Sequence, residues 1–143
     1  MNTPSDRLPE APVFLDEENV LKQPPSSFPE PGRGNVTWHT LLSAPTTPSS
    51  SLSAGIAECP ANGCLALHRH KQAEMYYVLS GSGEVEVDGK RQRVRSGMMV
   101  WILGDAEHGV FCGDDEQLRW LYVFPEGSFE DVVYRFTCSP KQT

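Results

Sequence analysis

His68, His70, Glu74 and His108 are the side chains of this sequence whose types and spacing suit metal chemistry. Three imidazoles and a carboxylate are hard and borderline donors, matched to one divalent ion of the Fe, Mn, Ni, Zn or Co kind. Four such donors on one ion leave part of its coordination sphere open, which a reactive centre requires. The spacing matters as much as the types. On a β-strand the side chains at i and i+2 point to the same face. His68 and His70 then point one way and Arg69 the other. Glu74 follows after a short turn, and Glu74, Tyr76 and Val78 share a face on the next strand.

The elements that must carry these residues read as short strands. Strands are expected near 36–42, 52–59, 64–70, 75–79, 83–88, 91–95, 98–103, 108–112 and 117–124, with turn-forming residues between them. Asp88-Gly89 between two alternating segments signals a tight hairpin, because a type I′ turn needs positive φ at both central positions. Ser80 to Gly83 reads as another break. No long helical period is present, so the pattern predicts an all-β fold, an antiparallel barrel or sandwich. The tail around Asp131 to Phe136 reads either as a last strand or as a short helix followed by one. Residues 1–33 are rich in proline and acidic groups, which disfavours regular structure. Val13-Phe14-Leu15 and Val20-Leu21 give this arm apolar spots with which to dock on a sheet edge. The expected division is an N-terminal arm over 1–33 and a β-barrel domain over 34–143.

Composition narrows the function classes. The chain has 143 residues, 38% hydrophobic and 22% charged, with a net charge of −7. That is one soluble globular domain. A net negative chain without a Lys/Arg run is a poor ligand for nucleic acid or an anionic membrane. The longest apolar runs are strand-length and too short to span a bilayer as a helix. The first residues lack the apolar segment of a secretory signal, so a cytoplasmic location is expected. Cys59, Cys64, Cys112 and Cys138 do not form CxxC pairs, and free thiols are the expectation.

With those residues in view, the chain resembles the cupin superfamily. The first motif of that family, G-x5-H-x-H-x3,4-E-x6-G, is met by His68, His70, Glu74 and Gly81. The second, G-x5-P-x-G-x2-H-x3-N, is met in spacing at Gly97, Leu103, Asp105, His108 and Cys112. Leu103, Asp105 and Cys112 replace the motif's proline, glycine and asparagine, and Gly63 stands one residue too close to His68. These departures touch turns and one lining position, not the ligands. The resemblance implies a jelly-roll β-barrel with an extended N-terminal arm, one metal held by His68, His70, Glu74 and His108, and a homodimer in which the arm is exchanged.

The His-x-His-x3-Glu-x-Tyr arrangement is similar to that of small cupin lyases that cleave dimethylsulfoniopropionate. There the tyrosine takes the proton alpha to the carboxylate, which would make Tyr76 a general base. The other reading of Tyr76 is a wall residue with a hydrogen-bonded hydroxyl. Trp120 and Tyr122 share a face and read either as pocket lining or as core packing or a dimer contact. Arg119 should face the opposite way. Cys112 shares parity with His108 and is a candidate for the pocket wall. His39 has no motif partner and reads as structural or as a surface residue. The function expected is a metal-dependent lyase or isomerase acting on a small polar or carboxylate-bearing molecule. An Fe(II) dioxygenase and a non-catalytic ligand-binding module are the alternatives.

Overall fold

The computed structural model describes residues 8–137, so Cys138 lies outside the described residues. The described residues form ten strands: β1 Ser26–Ser27, β2 Thr37–Leu42, β3 Ser53–Cys59, β4 Cys64–Arg69, β5 Glu74–Val87, β6 Lys90–Arg95, β7 Met99–Ile102, β8 His108–Phe111, β9 Leu118–Phe124 and β10 Arg135–Phe136. All pairings between them are antiparallel. The sheet curls into two layers joined by the long β5. One layer runs β1-β2-β3-β9-β5-β7 and the other β10-β4-β8-β5-β6. This is the expected jelly-roll barrel. No helix of the described residues is long and apolar enough to cross a membrane.

β5 departs from the sequence expectation. The glycines and serines of Ser80 to Gly83 predict a turn, yet the strand runs unbroken through them. The register slips there instead: Val78 faces Trp120, but Ser80 faces Arg119. The extra residue is a β-bulge, which bends the strand and lets it leave one layer for the other. Gly81 makes the bend feasible. Its φ is +83°, and a Cβ at this position would stand 1.8 Å from the Gln117 carbonyl oxygen. The Asp88-Gly89 hairpin forms as expected, with φ of 47° and 83°.

The interior is filled by alternate residues of each strand. Leu118, Trp120, Tyr122 and Phe124 of β9 all point inward, as do Tyr76 and Val78 of β5. Arg119, of opposite parity, lies outside and pairs with Glu58 and with Glu17 of the arm. The arm holds more structure than its prolines suggest. A single helical turn, α1 Glu17–Val20, is capped by the Asp16 carboxylate, which accepts from the Glu18 amide. β1 then pairs with the outer edge of β2. His39 serves structure, as expected: its Nε2 lies 2.8 Å from the Gln23 carbonyl oxygen and ties the arm to β2.

Candidate metal centre

Two backbone devices aim the histidines. β4 and β8 pair with Leu65 opposite Val110 and His68 opposite His108, three steps on one strand against two on the other. This second bulge reverses the parity of β4, so Leu65 and His68 both point inward. His70 continues the inward face just beyond β4. Its loop is clamped against the loop leading to β8, where the Asp105 amide donates to the His70 carbonyl at 2.8 Å. Gly104 permits that approach, since a Cβ there would meet the Lys71 carbonyl oxygen at 2.5 Å.

The ligand atoms of His68, His70 and His108 lie within 4.8 Å of one another, and all three residues are buried. Glu74 Oε1 stands 3.1 Å from His70 Nε2 and 3.3 Å from His108 Nε2. Two donors about 2.1 Å from one ion and roughly at right or tetrahedral angles are about 3.0–3.4 Å apart. The two measured separations fit neighbours in one coordination sphere. The other ring nitrogens are already engaged. Nδ1 of His68, His70 and His108 faces the carbonyl oxygen of Ala66, Gln72 and Ala106 at 2.8, 2.9 and 2.9 Å. A carbonyl only accepts, so each Nδ1 carries the proton and each Nε2 presents a lone pair. A carboxylate is an acceptor too. Four acceptors therefore converge in a buried space, and His68 Nε2 has no hydrogen-bond partner at all among the described residues. Burial first, and His108 second, push the His68 imidazole well below its ordinary pKa, so it does not supply the missing proton itself. A proton can bridge one acceptor pair. A divalent cation satisfies all four, and the donor set fits it.

Around this centre the sequence candidates divide. Tyr76, Trp120 and Tyr122 line a residual cavity of about 20 Å³ together with Glu74. Tyr76 packs edge-on to His108, ring centres 6.3 Å apart, and against Trp120 at 5.4 Å. Burial, then the Glu74 charge and Tyr134, raise its phenol well above the ordinary tyrosine pKa. Cys112 is elsewhere. It shares the inward parity of His108, but four residues at about 3.3 Å each carry it to the far end of the barrel. There it lies 3.7 Å from the Cys59 carbonyl oxygen.

Sequence reasoning misses a group of aromatics. The chain closes with a 3₁₀ turn, Phe129–Asp131, and then β10, whose Phe136 pairs with His68. The tail thus follows the helix-then-strand alternative. It lays Tyr134 over His68 at 4.9 Å and over His70 at 5.3 Å between ring centres. Phe28 from the arm closes the same wall against Tyr134 and Trp38. The aromatic content of the tail is its only signal.

The model of the cupin domain matches residues 56–124. The dimethylsulfoniopropionate lyase DddW of Ruegeria pomeroyi is 42% identical over 132 residues, 92% of this chain and 84% of that protein. Among solved structures, the polyketide cyclase RemF from Streptomyces resistomycificus superposes with a TM-score of 0.76 at 22% identity, covering 90% of this chain and 87% of its own. A predicted oxalate decarboxylase from Thermotoga maritima gives 0.67 at 20% identity, with 80% and 99% covered. The two structural likenesses show the fold. The 42% identity to the sequence relative, together with the cupin-domain match, shows that the chain belongs to the cupin family.

Proposed function

We propose that this cupin is a metal-dependent lyase that cleaves dimethylsulfoniopropionate, with His68, His70, Glu74 and His108 as the metal ligands and Tyr76 as the general base. The observation that carries the reading is the convergence of four buried acceptors beside a buried phenol. The 42% identity to DddW supports the choice of substrate. A divalent cation in this place supplies Lewis-acid polarisation of a substrate carboxylate.

The chain's own residues account for the rest. In this reading Tyr76 takes the proton alpha to the carboxylate, supported by its place in the wall beside Glu74. The electron pair left on carbon forms the double bond of acrylate, the bond from the beta carbon to sulfur breaks, and dimethyl sulfide leaves with that bond's electrons. The base must be the phenolate. Burial and Glu74 oppose that form, whereas the sulfonium charge of the substrate favours it. Trp120, Tyr122 and Tyr134 give the sulfonium an aromatic lining of the kind that attracts cations. The apolar wall also keeps water from the reacting carbons.

The cavity of about 20 Å³ holds about one water molecule. Substrate therefore enters by displacing part of the wall. The C-terminal segment that closes this wall is held by the two-residue β10, by the Gln72 amide donating to Glu126 at 3.0 Å, by Arg135 on Asp105 and by the Thr137 hydroxyl donating to Glu107. Purified, metal-replete protein incubated with dimethylsulfoniopropionate under nitrogen is expected to release dimethyl sulfide and acrylate in equal amounts. Absence of both products, or a requirement for dioxygen, would overturn the reading.

A further inference from the structure

The small cavity beside Glu74 and Tyr76 has a larger neighbour. A cleft of about 260 Å³ opens to solvent between β2 and the 3₁₀ turn Phe129–Asp131, with Trp38, Thr40, Ser43, Phe129 and Glu130 in its walls. That is several times the roughly 30 Å³ that one water occupies. Trp38 and Phe129 line both spaces. Their rings, 6.1 Å apart between centres and inclined at 66°, form the partition. The two residues are held differently. Trp38 stands within β2, opposite Ser26 of β1 on one side and Ala57 of β3 on the other. Phe129 is the first residue of a three-residue turn, where its amide donates to the Ser43 hydroxyl at 2.9 Å. Phe129 is therefore the one that can swing aside without opening a sheet.

The cleft has a definite chemistry. Among the described residues no lysine, arginine or histidine lines it, and Glu130 is its one charged group. Two aromatic rings and a carboxylate attract an organic cation. A hydroxyl lies where cleft and cavity meet. Thr40, Gly55 and Tyr122 form one cross-strand row. Gly55 has no side chain, and a Cβ there would stand 2.2 Å from the Tyr122 hydroxyl oxygen. The Tyr122 ring thus lies across β3 and lines the inner cavity, while its hydroxyl reaches toward Thr40 of the outer cleft. Tyr122 is only 4% exposed, yet its hydroxyl meets hydrogen-bond geometry with no partner among the described residues. Such a buried donor calls for an acceptor. A carboxylate moving from cleft to cavity supplies one. We propose that the cleft is an outer binding site for a small organic cation that carries a carboxylate, a sulfonium or a quaternary ammonium, and that Phe129 is the gate between this site and the metal cavity. The choice of ligand rests on the lyase reading of the inner site; the geometry does not. Glu130 and the two rings hold the cationic end, and the Tyr122 hydroxyl draws the carboxylate inward, so the carboxylate leads toward the metal ligands.

Tetramethylammonium chloride is the probe, since it has the cation and no carboxylate with which to reach a metal. Titrated into the full chain, it is expected to shift the Trp38 indole N–H resonance, assigned through Trp38→Phe, in metal-free and metal-replete protein alike. Sodium chloride at the same concentration controls for ionic strength. Glu130→Gln is expected to raise the dissociation constant about two- to fivefold, the scale of one exposed charge. The rate at which a chelating dye strips the metal is expected to rise at least tenfold in Phe129→Ala and by less in the bulkier Phe129→Leu, at unchanged far-ultraviolet circular dichroism. No shift at Trp38, a shift that requires metal, or one indifferent to Glu130→Gln overturns the outer site. Stripping at the wild-type rate in both Phe129 variants overturns the gate. Neither readout depends on turnover. Protein that binds tetramethylammonium but releases no dimethyl sulfide refutes the lyase reading and leaves the outer site standing, and an active enzyme with a silent Trp38 does the reverse.

Discussion

The two ends of the barrel are built on the same pair of strands and share little chemistry. β4 starts at Cys64 and finishes beside His68, while β8 starts at His108 and delivers Cys112 just past its last residue. Both ends gather metal-ligating side chains in the interior. At the cysteine end burial pushes the Cys59, Cys64 and Cys112 thiols up, so they stay neutral. Cys112 points its sulfur at the Cys59 carbonyl. Donors meet acceptors and the thiols behave as small apolar filler. At the histidine end every ring donor is used up on the main chain, and the acceptors are left facing one another. A reactive centre follows from the imbalance of donors and acceptors, not from the mere presence of ligand types.

Substitutions at the histidine end separate chemistry from binding. Tyr76→Phe is expected to lower kcat by about 10²–10⁴-fold while metal content, read by elemental analysis, stays unchanged. Equal turnover in that variant removes Tyr76 from the mechanism. Glu74→Gln turns an acceptor into a group that also donates. It is expected to weaken metal affinity by more than the roughly 10–100-fold seen when a group that only supports a ligand is altered, since Glu74 is itself a ligand. In metal-free protein the same change gives a donor to His70 or His108 and is expected to raise the melting temperature. A fall in both quantities would show that the acceptors were not in conflict.

The residues behind these expectations are legible in the sequence itself. The His-x-His parity needs only local strand geometry, and the barrel follows from short alternating segments with turn residues between them. The bulges are not legible. Nothing in Cys64-Leu65-Ala66-Leu67-His68 marks a parity reversal, because it is set by the pairing with β8. Gly81-Ser82-Gly83 reads as a turn, since glycine serves a bulge and a turn alike. For Cys112 parity gives the correct face and the wrong place, because it carries no information on distance along the strand. For Tyr134 the sequence signals only an aromatic in the tail, because its position depends on β10 finding β4 more than sixty residues away in sequence.

Smaller effects complete the contrast. His68 has a folded pKa below its unfolded value near 6.5. Its contribution is intact above that value and is lost as pH falls below it, because the unfolded state binds the proton more readily. Metal-free protein is thus expected to lose stability progressively from pH 6.5 downward, measured by urea unfolding. His68→Gln should flatten that slope. Cys112→Ala is expected to cost about 1 kcal/mol of stability, a typical figure for a single change, with metal content and kcat unaltered. A loss of activity in the cysteine variant would erase the distinction between the two ends.

Each of the three imidazoles is oriented by a main-chain carbonyl, at Ala66, Gln72 and Ala106. No codon change deletes a carbonyl. The supports of this centre are therefore invisible to an alanine scan and to the slow drift of side chains between relatives, and the residues bearing them are free to vary as long as the loop keeps its path. What threatens the centre is a shift in chain length: removing one residue from the bulged stretch of β4 would turn His68 to the outside without touching a single ligand.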